Sequence, residues 1–445
     1  MFLILFIVFS LVVSLVAAKC AFRTLINPLF VFVVVTSAQI ILYVINLAFF
    51  EPLHFQTQLY LFLYLLSGLL GGLTAVSAFN VKRHKLSVRA PTIDKDKLKR
   101  SLKFIGLAGL LISILYAYNT LSLLQSNPLA VYESAMDYRN DVMFGDLAEA
   151  RGKFIPLLAL SAINIGCILA PIYWVIMQRA TFIVFLPLGA SVIYSIVIMG
   201  RTHLVESFFL FAFSLAIFGN LYSSIAPQIV PRRIFIKFFV YASLALSLLI
   251  FGMTAITGKS EWSSHHPHTL IDGLPFIAQL YDYFTISLSR FNDVSIHDSP
   301  EYSLGWSSFR PLMYVLYKIG VFSTYSDTEY LFEDYWLPFY GNVSPAIRFF
   351  YEDFGVVGVF VIPYLFMLIS CSLQIQLARR FSFGKFAVLI SFVLAFFGST
   401  GVWTMWYQHF YLVLLVAFII QHRLSGPRRF MWKRVSPEWT PQSGK

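Results

Sequence analysis

Two carboxylates and an arginine lie together immediately before an apolar run, in the stretch from Asn342 to Gly358. Arg348 precedes Glu352 and Asp353, and the apolar run begins near Gly355. A charge at a membrane boundary is costly unless it pairs, reaches the head groups or lines a wet cavity. These residues therefore form a candidate site, in which the arginine binds an anion and Glu352 or Asp353 accepts a proton.

A second group of ionisable residues opens another apolar run, where Arg201, His203 and Glu206 follow Gly200 within one and a half helical turns. The N-terminus of a helix attracts anions, and His203 or Glu206 could take a proton there. Glu206 could equally be a first-turn acid that satisfies the helix dipole. Both interpretations are compatible with the sequence.

Two further arginines, Arg290 and Arg310, fall in the long segment 257–353. Arginine binds phosphate through two parallel hydrogen bonds and keeps its charge at every relevant pH. Each arginine alone could be an ordinary interfacial or ion-paired residue. Four arginines from separate segments on one predicted membrane face indicate instead a site for a lipid-linked phosphate or diphosphate.

The sequence predicts no metal site and no cofactor. His265, His266 and His268 are closely spaced, but neighbours in an extended segment point in opposite directions, so a shared ion is disfavoured. The cysteines, Cys20, Cys167 and Cys371, are far apart. His409 is interpreted as a core histidine in an aromatic belt, and the chain contains no nucleotide-binding glycine motif.

These candidate residues are held by a chain that is too apolar for a soluble domain. Of 445 residues, 58% are hydrophobic and 12% charged, and the mean hydropathy is +0.73. Runs of about 20 apolar residues can cross a bilayer. We predict a single all-α membrane domain, 1–445, with eleven spans, or twelve if one is missed: 2–18, 29–50, 59–79, 102–124, 155–177, 181–199, 203–221, 234–256, 354–376, 384–400 and 402–420.

Charge distribution assigns the two sides of this membrane domain. Most of the 33 lysines and arginines fall in alternate connecting segments and in the tail 421–445, whereas most of the 22 acids fall in the others. The positive-inside rule places the basic set in the cytoplasm, with the N-terminus outside and the C-terminus inside. The net charge of +11 is thus a consequence of topology, and nucleic acid is not a predicted partner.

The outer segment 257–353 is far longer than a connection requires. Apolar residues recur at helical spacing from Leu270 to Leu288 and from Phe309 to Ile319, which predicts two amphipathic helices at the membrane surface. Tyrosines and tryptophans are frequent on the same side, Tyr340 and Tyr351 among them, and their rings can stack on sugars or mark the membrane interface.

Three features resemble the O-antigen polymerase family, which joins oligosaccharide repeat units in bacterial envelopes. They are the turn Gly200-Arg201-Thr-His203, the large outer loop 257–353, and the closing motif from Asn342 through Tyr351-Glu-Asp353-Phe-Gly355-Val-Val-Gly358. The resemblance implies a fold like that of other lipid-sugar-dependent (GT-C-like) glycosyltransferases. It also implies a multi-pass protein of the bacterial inner membrane with its active site facing the periplasm.

That family resemblance implies a metal-independent glycosyltransferase of lipopolysaccharide biosynthesis. The donor would be a glycan on undecaprenyl diphosphate, and a hydroxyl of a second lipid-linked unit would attack it. Arg201, Arg290, Arg310 and Arg348 would bind the diphosphate, Tyr351, Asn342 and Tyr340 the glycan, and Asp353, Glu352, His203 or Glu206 would act as base. Membrane lipids and a chain-length regulator are the implied partners.

Two other functions remain open from the sequence. An O-antigen ligase, which transfers glycan to lipid A, would share the topology and the arginines. A flippase or transporter of the same lipid-linked sugar would carry charges in mid-span, and the predicted spans have almost none.

Overall fold

A computed structural model describes residues 2–22, 26–46, 50–79, 93–124, 154–177, 181–197, 201–223, 275–324, 335–336, 340–341, 344–399, 405 and 408–424. These residues form helices and one minimal hairpin. The helices are α1 (Phe2–Ala17, continued by a π-helical turn, Ala18–Phe22), α2 (Pro28–Ile45), α3 (Phe55–Ala78), α4 (Lys95–Leu124), α5 (Phe154–Met177), α6 (Phe182–Val197), α7 (Arg201–Ser223), α8 (Pro275–His297), α9 (Arg310–Lys318), α10 (Ala346–Arg379), α11 (Phe383–Gly398) and α12 (Gln408–Leu424). The hairpin pairs β1 (Tyr335–Trp336) with β2 (Tyr340–Gly341) in antiparallel register.

The helices confirm a multi-pass membrane protein. Each predicted span overlaps a helix except 234–256, which lies outside the described residues, as do 257–274 and the tail beyond Leu424. Six helical segments are long and apolar enough to cross a membrane: Phe2–Phe22, Pro28–Ile45, Phe55–Ala78, Leu157–Met177, Thr202–Leu221 and Ala346–Arg379. Three shorter apolar helices, α6, α11 and α12, complete this set among the described residues.

Both amphipathic helices of the large loop are present as α8 and α9, but α8 does not lie on the surface as expected. Its apolar residues, among them Leu288 and Phe291, are buried, and the helix packs on α2 and α3. Gln39 of α2 donates a 3.0 Å hydrogen bond to Ser287, and Thr57 of α3 donates a 2.7 Å bond to Asn292. Protein thus covers the face of α8 that the sequence assigned to lipid.

Two apolar clusters form the interior, and α11 belongs to both. One cluster is built from α1, α2, α3, α8, most of α10 and Phe410 of α12, and the other from α4 to α7, the rest of α12 and the last turn of α10. Residues of α11 up to Leu394 pack in the second cluster, whereas Ala395 and Phe396 pack in the first. The C-terminal end of α11 therefore lies at the boundary between the two halves of the bundle.

Helix α10 is broken at Gly355 into a short leg, 346–354, and a long leg, 356–379. Gly355 has φ 60° and ψ −146°, a backbone conformation that L side chains rarely adopt. A Cβ at Gly358 would fall on the carbonyl oxygen of Phe350, so the two legs approach closely just beyond the break. The missing side chains at both glycines permit this turn.

The short leg re-enters the bundle beside the long leg. The N–H of Ala346 donates a 2.8 Å bond to the carbonyl of Ser399, directly after α11. All residues from 346 to 353 are buried. The N-terminal residues of the short leg, Arg348 included, are therefore set into the bundle rather than at its rim.

Candidate functional site

The first candidate centre is a carboxylate between two imidazoles, and we call it the Glu206 centre. Glu206 Oε1 lies 2.9 Å from His409 Nε2, and Oε2 lies 3.6 Å from His203 Nδ1. Asn164 also donates a 3.0 Å bond to Oε1. The side chains of Glu206, His203 and His409 are 11%, 9% and 6% exposed, so the whole group is nearly enclosed by protein.

Three helices position the Glu206 centre. His203 and Glu206 are three residues apart on the first turns of α7, so they share one face of that helix. His409 is the second residue of α12, and Asn164 lies inside α5. Ser207 donates a 3.1 Å bond to the Asn164 oxygen, which orients the amide so that its nitrogen points to Glu206. The first turns of α7 and α12 and the buried amide of Asn164 thus bring together residues that are far apart in the sequence.

Chemically, the Glu206 centre can accept and hold a proton. A carboxylate is a hydrogen-bond acceptor, and each imidazole has one nitrogen that can donate to it while the ring retains a second titratable position. A carboxylate that fixes the orientation of a histidine is a recurrent arrangement in general base catalysis. In a nearly dry site such charges act strongly on a bound substrate.

The second candidate centre is the short leg of α10, where Arg348 and Glu352 are one helical turn apart. Arg348 Nε lies 3.6 Å from Glu352 Oε1, and its Nη1 donates a 2.8 Å bond to Ser344. Arg348 is 2% exposed and Glu352 3%. A buried charge persists only when it is compensated, so each of these groups holds the other in the bundle.

Asp353 is fully buried and accepts hydrogen bonds from a turn of the large loop. Oδ1 accepts from Ser303 Oγ at 2.5 Å and from the N–H groups of Gly305 and Ser307, each at 2.9 Å. Oδ2 accepts from the N–H of Ser308 at 2.7 Å. A carboxylate offers about four acceptor positions, and these four donors match that capacity. The geometry holds the Asp353 carboxylate in one fixed orientation.

Tyr351, which the sequence predicts to bind glycan, lies within the short leg. Tyr351 is buried, with ring centroids 5.4 Å from Tyr60 and 6.0 Å from Phe291, and its hydroxyl donates to the carbonyl of Asp298 at 3.3 Å. Such packing supports the leg. A sugar-stacking role would require the ring of Tyr351 to be reached from outside.

Two of the predicted arginines lie on the helices of the large loop. Arg290 of α8 forms a 3.0 Å ion pair with Asp293, and Arg310 is the first residue of α9 and is partly buried. The backbone of Arg201 begins α7 and that of Tyr340 lies in β2. The side chains of Arg201 and Tyr340 and all of Asn342 lie outside what the structure describes, as do the three closely spaced histidines 265, 266 and 268.

The two centres flank the end of α11. Ser399 accepts the bond from Ala346, which begins the short leg. Two residues earlier, the ring of Phe397 packs on that of Phe209, with centroids 4.0 Å apart, and Phe209 is one turn beyond Glu206 on α7. The structure therefore brings His203, Glu206, Arg348, Glu352 and Asp353 to one end of the bundle.

His409 and Asn164 were not predicted as site residues. An ionisable side chain inside an apolar span is itself a signal for function, and by that criterion His409 could have been selected. Asn164 stands alone in an apolar run, and nothing in a single sequence relates it to Glu206.

Among the described residues no group of three or more His, Cys, Asp or Glu side chains is arranged to hold a metal ion. Fold and site together define a multi-pass helical membrane protein with ionisable residues buried at one end of its bundle. Comparison with protein-family models, with curated proteins and with solved structures finds no match.

Proposed function

We propose that this protein polymerises undecaprenyl-diphosphate-linked oligosaccharide repeat units at the periplasmic face of the bacterial inner membrane. The observation that supports it best is the Glu206 centre, in which a buried carboxylate contacts two histidines in the first turns of α7 and α12. By the charge distribution of the sequence, both helices begin on the outer side. A proton acceptor is thereby available where lipid-linked sugars would be joined.

In the proposed reaction, a hydroxyl of one lipid-linked unit attacks the anomeric carbon of the sugar on the other. The new glycosidic C–O bond forms as the bond from that carbon to the diphosphate breaks, and undecaprenyl diphosphate leaves with the electron pair. The hydroxyl proton passes to the Glu206 centre, through the carboxylate or one of its imidazoles. Arginine side chains stabilise the charge on the departing diphosphate.

Arg348 is the arginine best placed for this role by its burial. A guanidinium acts more strongly on a phosphate in a nearly dry site than at an exposed surface. Glu352 would balance its charge before the substrate binds, which keeps the empty site stable. Arg290 and Arg310, on the helices of the large loop, would add to the same field, as would Arg201 at the start of α7.

The test is the envelope glycan of a host strain that lacks this gene and carries a plasmid copy. With the wild-type copy we expect a ladder of long chains, and with Glu206→Gln we expect single repeat units joined to the lipid acceptor. A ligase would instead leave polymer on undecaprenyl diphosphate, with none on lipid A. A flippase defect would leave no repeat unit on the acceptor. Either of the last two patterns would contradict the proposal.

A further inference from the structure

We infer that Asp353 is a positioning residue, which fixes the Arg348–Glu352 pair by joining the short leg of α10 to the turn Ser303–Ser308. This inference deepens the proposed function and rests on it for its catalytic meaning. The sequence placed Asp353 among the candidate bases. The contacts of the turn assign it a different task.

The hydrogen bonds of Asp353 explain why it is a poor base. Four donors from one turn surround its two oxygens, and the residue is fully buried. Taking a proton from a substrate hydroxyl would require at least one of those donors to leave, and three of the four are backbone N–H groups. Such a donor set holds the carboxylate in one orientation.

The same turn also binds the backbone where the short leg ends. The N–H of Ser303 donates to the carbonyl of Glu352 at 3.2 Å, and the N–H of Leu304 donates to that of Asp353 at 3.3 Å. Gly355 interrupts the helix there, so these carbonyls have lost their usual helical partners. The turn therefore caps the short leg.

The segment just before the turn also contacts Glu352, the partner of Arg348. The N–H of Glu301 lies 3.5 Å from Glu352 Oε2, while Glu352 Oε1 faces Arg348. One segment of the large loop therefore contacts both Glu352 and Asp353, and it binds the side chain and the backbone carbonyl of each. The position of the Arg348 guanidinium then depends on whether this segment is docked.

The backbone conformation around the turn also indicates that the turn depends on its contacts with the short leg. Tyr302 and Leu304 have φ of 54° and 52°, and Gly305 has φ of 102°. Positive φ is unfavourable for non-glycine residues such as Tyr302 and Leu304, so the turn requires outside contacts to persist. The Asp353 carboxylate supplies four of them, and the short leg and the turn thus stabilise each other.

Hydrogen exchange measured by mass spectrometry on the full purified chain tests the docking. We expect Ser303→Ala to speed exchange of peptides covering 303–309 and 346–354 about fivefold, and Asp353→Asn about a hundredfold, since one bond or the whole donor set is lost. The control is Ser370→Ala, because Ser370 is also buried but, among the described residues, its hydroxyl donates to the Phe366 carbonyl of its own helix, α10. Unchanged exchange of 346–354 in Asp353→Asn would overturn the inference.

A polymerisation assay over a range of pH separates positioning from base catalysis. If Asp353 positions Arg348, both Ser303→Ala and Asp353→Asn slow the reaction, by about fivefold and a hundredfold, while the shape of the pH profile is unchanged. If Asp353 is the base, Ser303→Ala is nearly as active as the wild type, and Asp353→Asn loses the acidic limb. That second pattern would refute the positioning role. A wild-type protein without polymerase activity would refute the proposed function alone, because the exchange experiment does not depend on it.

Discussion

His409 Nε2 lies 2.9 Å from Glu206 Oε1, although 203 residues separate them in the chain. The contact joins the first turns of α12 and α7. By its sequence context His409 resembles a core residue, but in the structure it is the partner of the buried acid Glu206. Several expectations about the protein depend on this pair.

Replacing the acid of this pair should abolish function with little loss of structure. Glu206→Gln keeps the size of the side chain and one oxygen that can accept from Asn164 or His409, but it removes the negative charge. We expect chain elongation to fall at least about a hundredfold, the usual range when a general base is removed. Glycan length in the complemented strain measures the effect. Exposed Glu51→Gln is the matched control, and equal ladders from both variants would contradict a catalytic Glu206 centre.

Sequence patterns predicted the positions of the helices better than the contacts between them. Apolar runs of about 20 residues identify spans because each must satisfy its backbone within the membrane, a constraint that depends only on local composition. The pairing of Glu206 with His409 depends on α5 and α11, because both α7 and α12 pack on these two helices. No local pattern encodes that contact, so His409 was interpreted as a core residue.

The break at Gly355 illustrates a second limit. The motif Gly355-Val-Val-Gly358 marked the start of a span, and the structure confirms a long helix there. The sequence could not show that residues 346–354 turn back along this helix, because one glycine with positive φ redirects the whole segment. By sequence Asp353, next to that glycine, is a candidate site acid, and its hydrogen bonds to a distant turn appear only in the structure.

Exchanging arginine for lysine should distinguish a shaped binding site from a simple charge. Arg348→Lys retains the charge but loses the planar fork that contacts both Ser344 and Glu352, so we expect at least about a tenfold loss of activity with the protein still inserted. Arg379→Lys, at an exposed cation, is the control. Full activity of Arg348→Lys would reduce the role of Arg348 to electrostatics.

The stability of the buried pair can be separated from its function by a double substitution. Arg348→Ala alone leaves Glu352 buried without its partner, which should cost about 3–5 kcal/mol. Arg348→Met with Glu352→Leu removes both charges and fills the space, so we expect a melting temperature near that of the wild type but no long glycan. Thermal unfolding in detergent provides the measurement. A double variant that is both stable and active would show that neither charge is needed.

Both glycines of the α10 turn should resist substitution, for different reasons. Gly355→Ala forces a side chain into a conformation with φ 60° and ψ −146°, at a cost of about 1–3 kcal/mol. Gly358→Ala places a Cβ on the Phe350 carbonyl oxygen, so the short leg must move. Gly189→Ala, with nothing within 4 Å of the added carbon, should be neutral or stabilising. Equal melting temperatures for all three variants would contradict the re-entrant geometry.

Docking of the large loop on the bundle should depend on Asn292 of α8. Its Oδ1 accepts bonds from the Thr57 hydroxyl at 2.7 Å and from the N–H of His54 at 3.0 Å, and its Nδ2 donates to the Pro52 carbonyl at 3.3 Å. Asn292→Leu would remove these three hydrogen bonds, each of which contributes about 0.5–1.5 kcal/mol to the docked state.

The loop is then expected to detach locally while the membrane helices stay folded, because the lost bonds all join α8 to the start of α3. Limited proteolysis from the outer side measures this, with cleavage within 275–324 increased about tenfold or more in Asn292→Leu. Asp298→Asn, an exposed change just beyond the same helix, serves as the control. Cleavage at the wild-type rate would mean that apolar contacts such as those of Phe291 suffice to hold α8.

Detachment of α8 should also affect the short leg of α10, because the Tyr351 hydroxyl donates to the carbonyl of Asp298. Loss of this bond would remove one support of the short leg, so glycan length should shorten in parallel with cleavage.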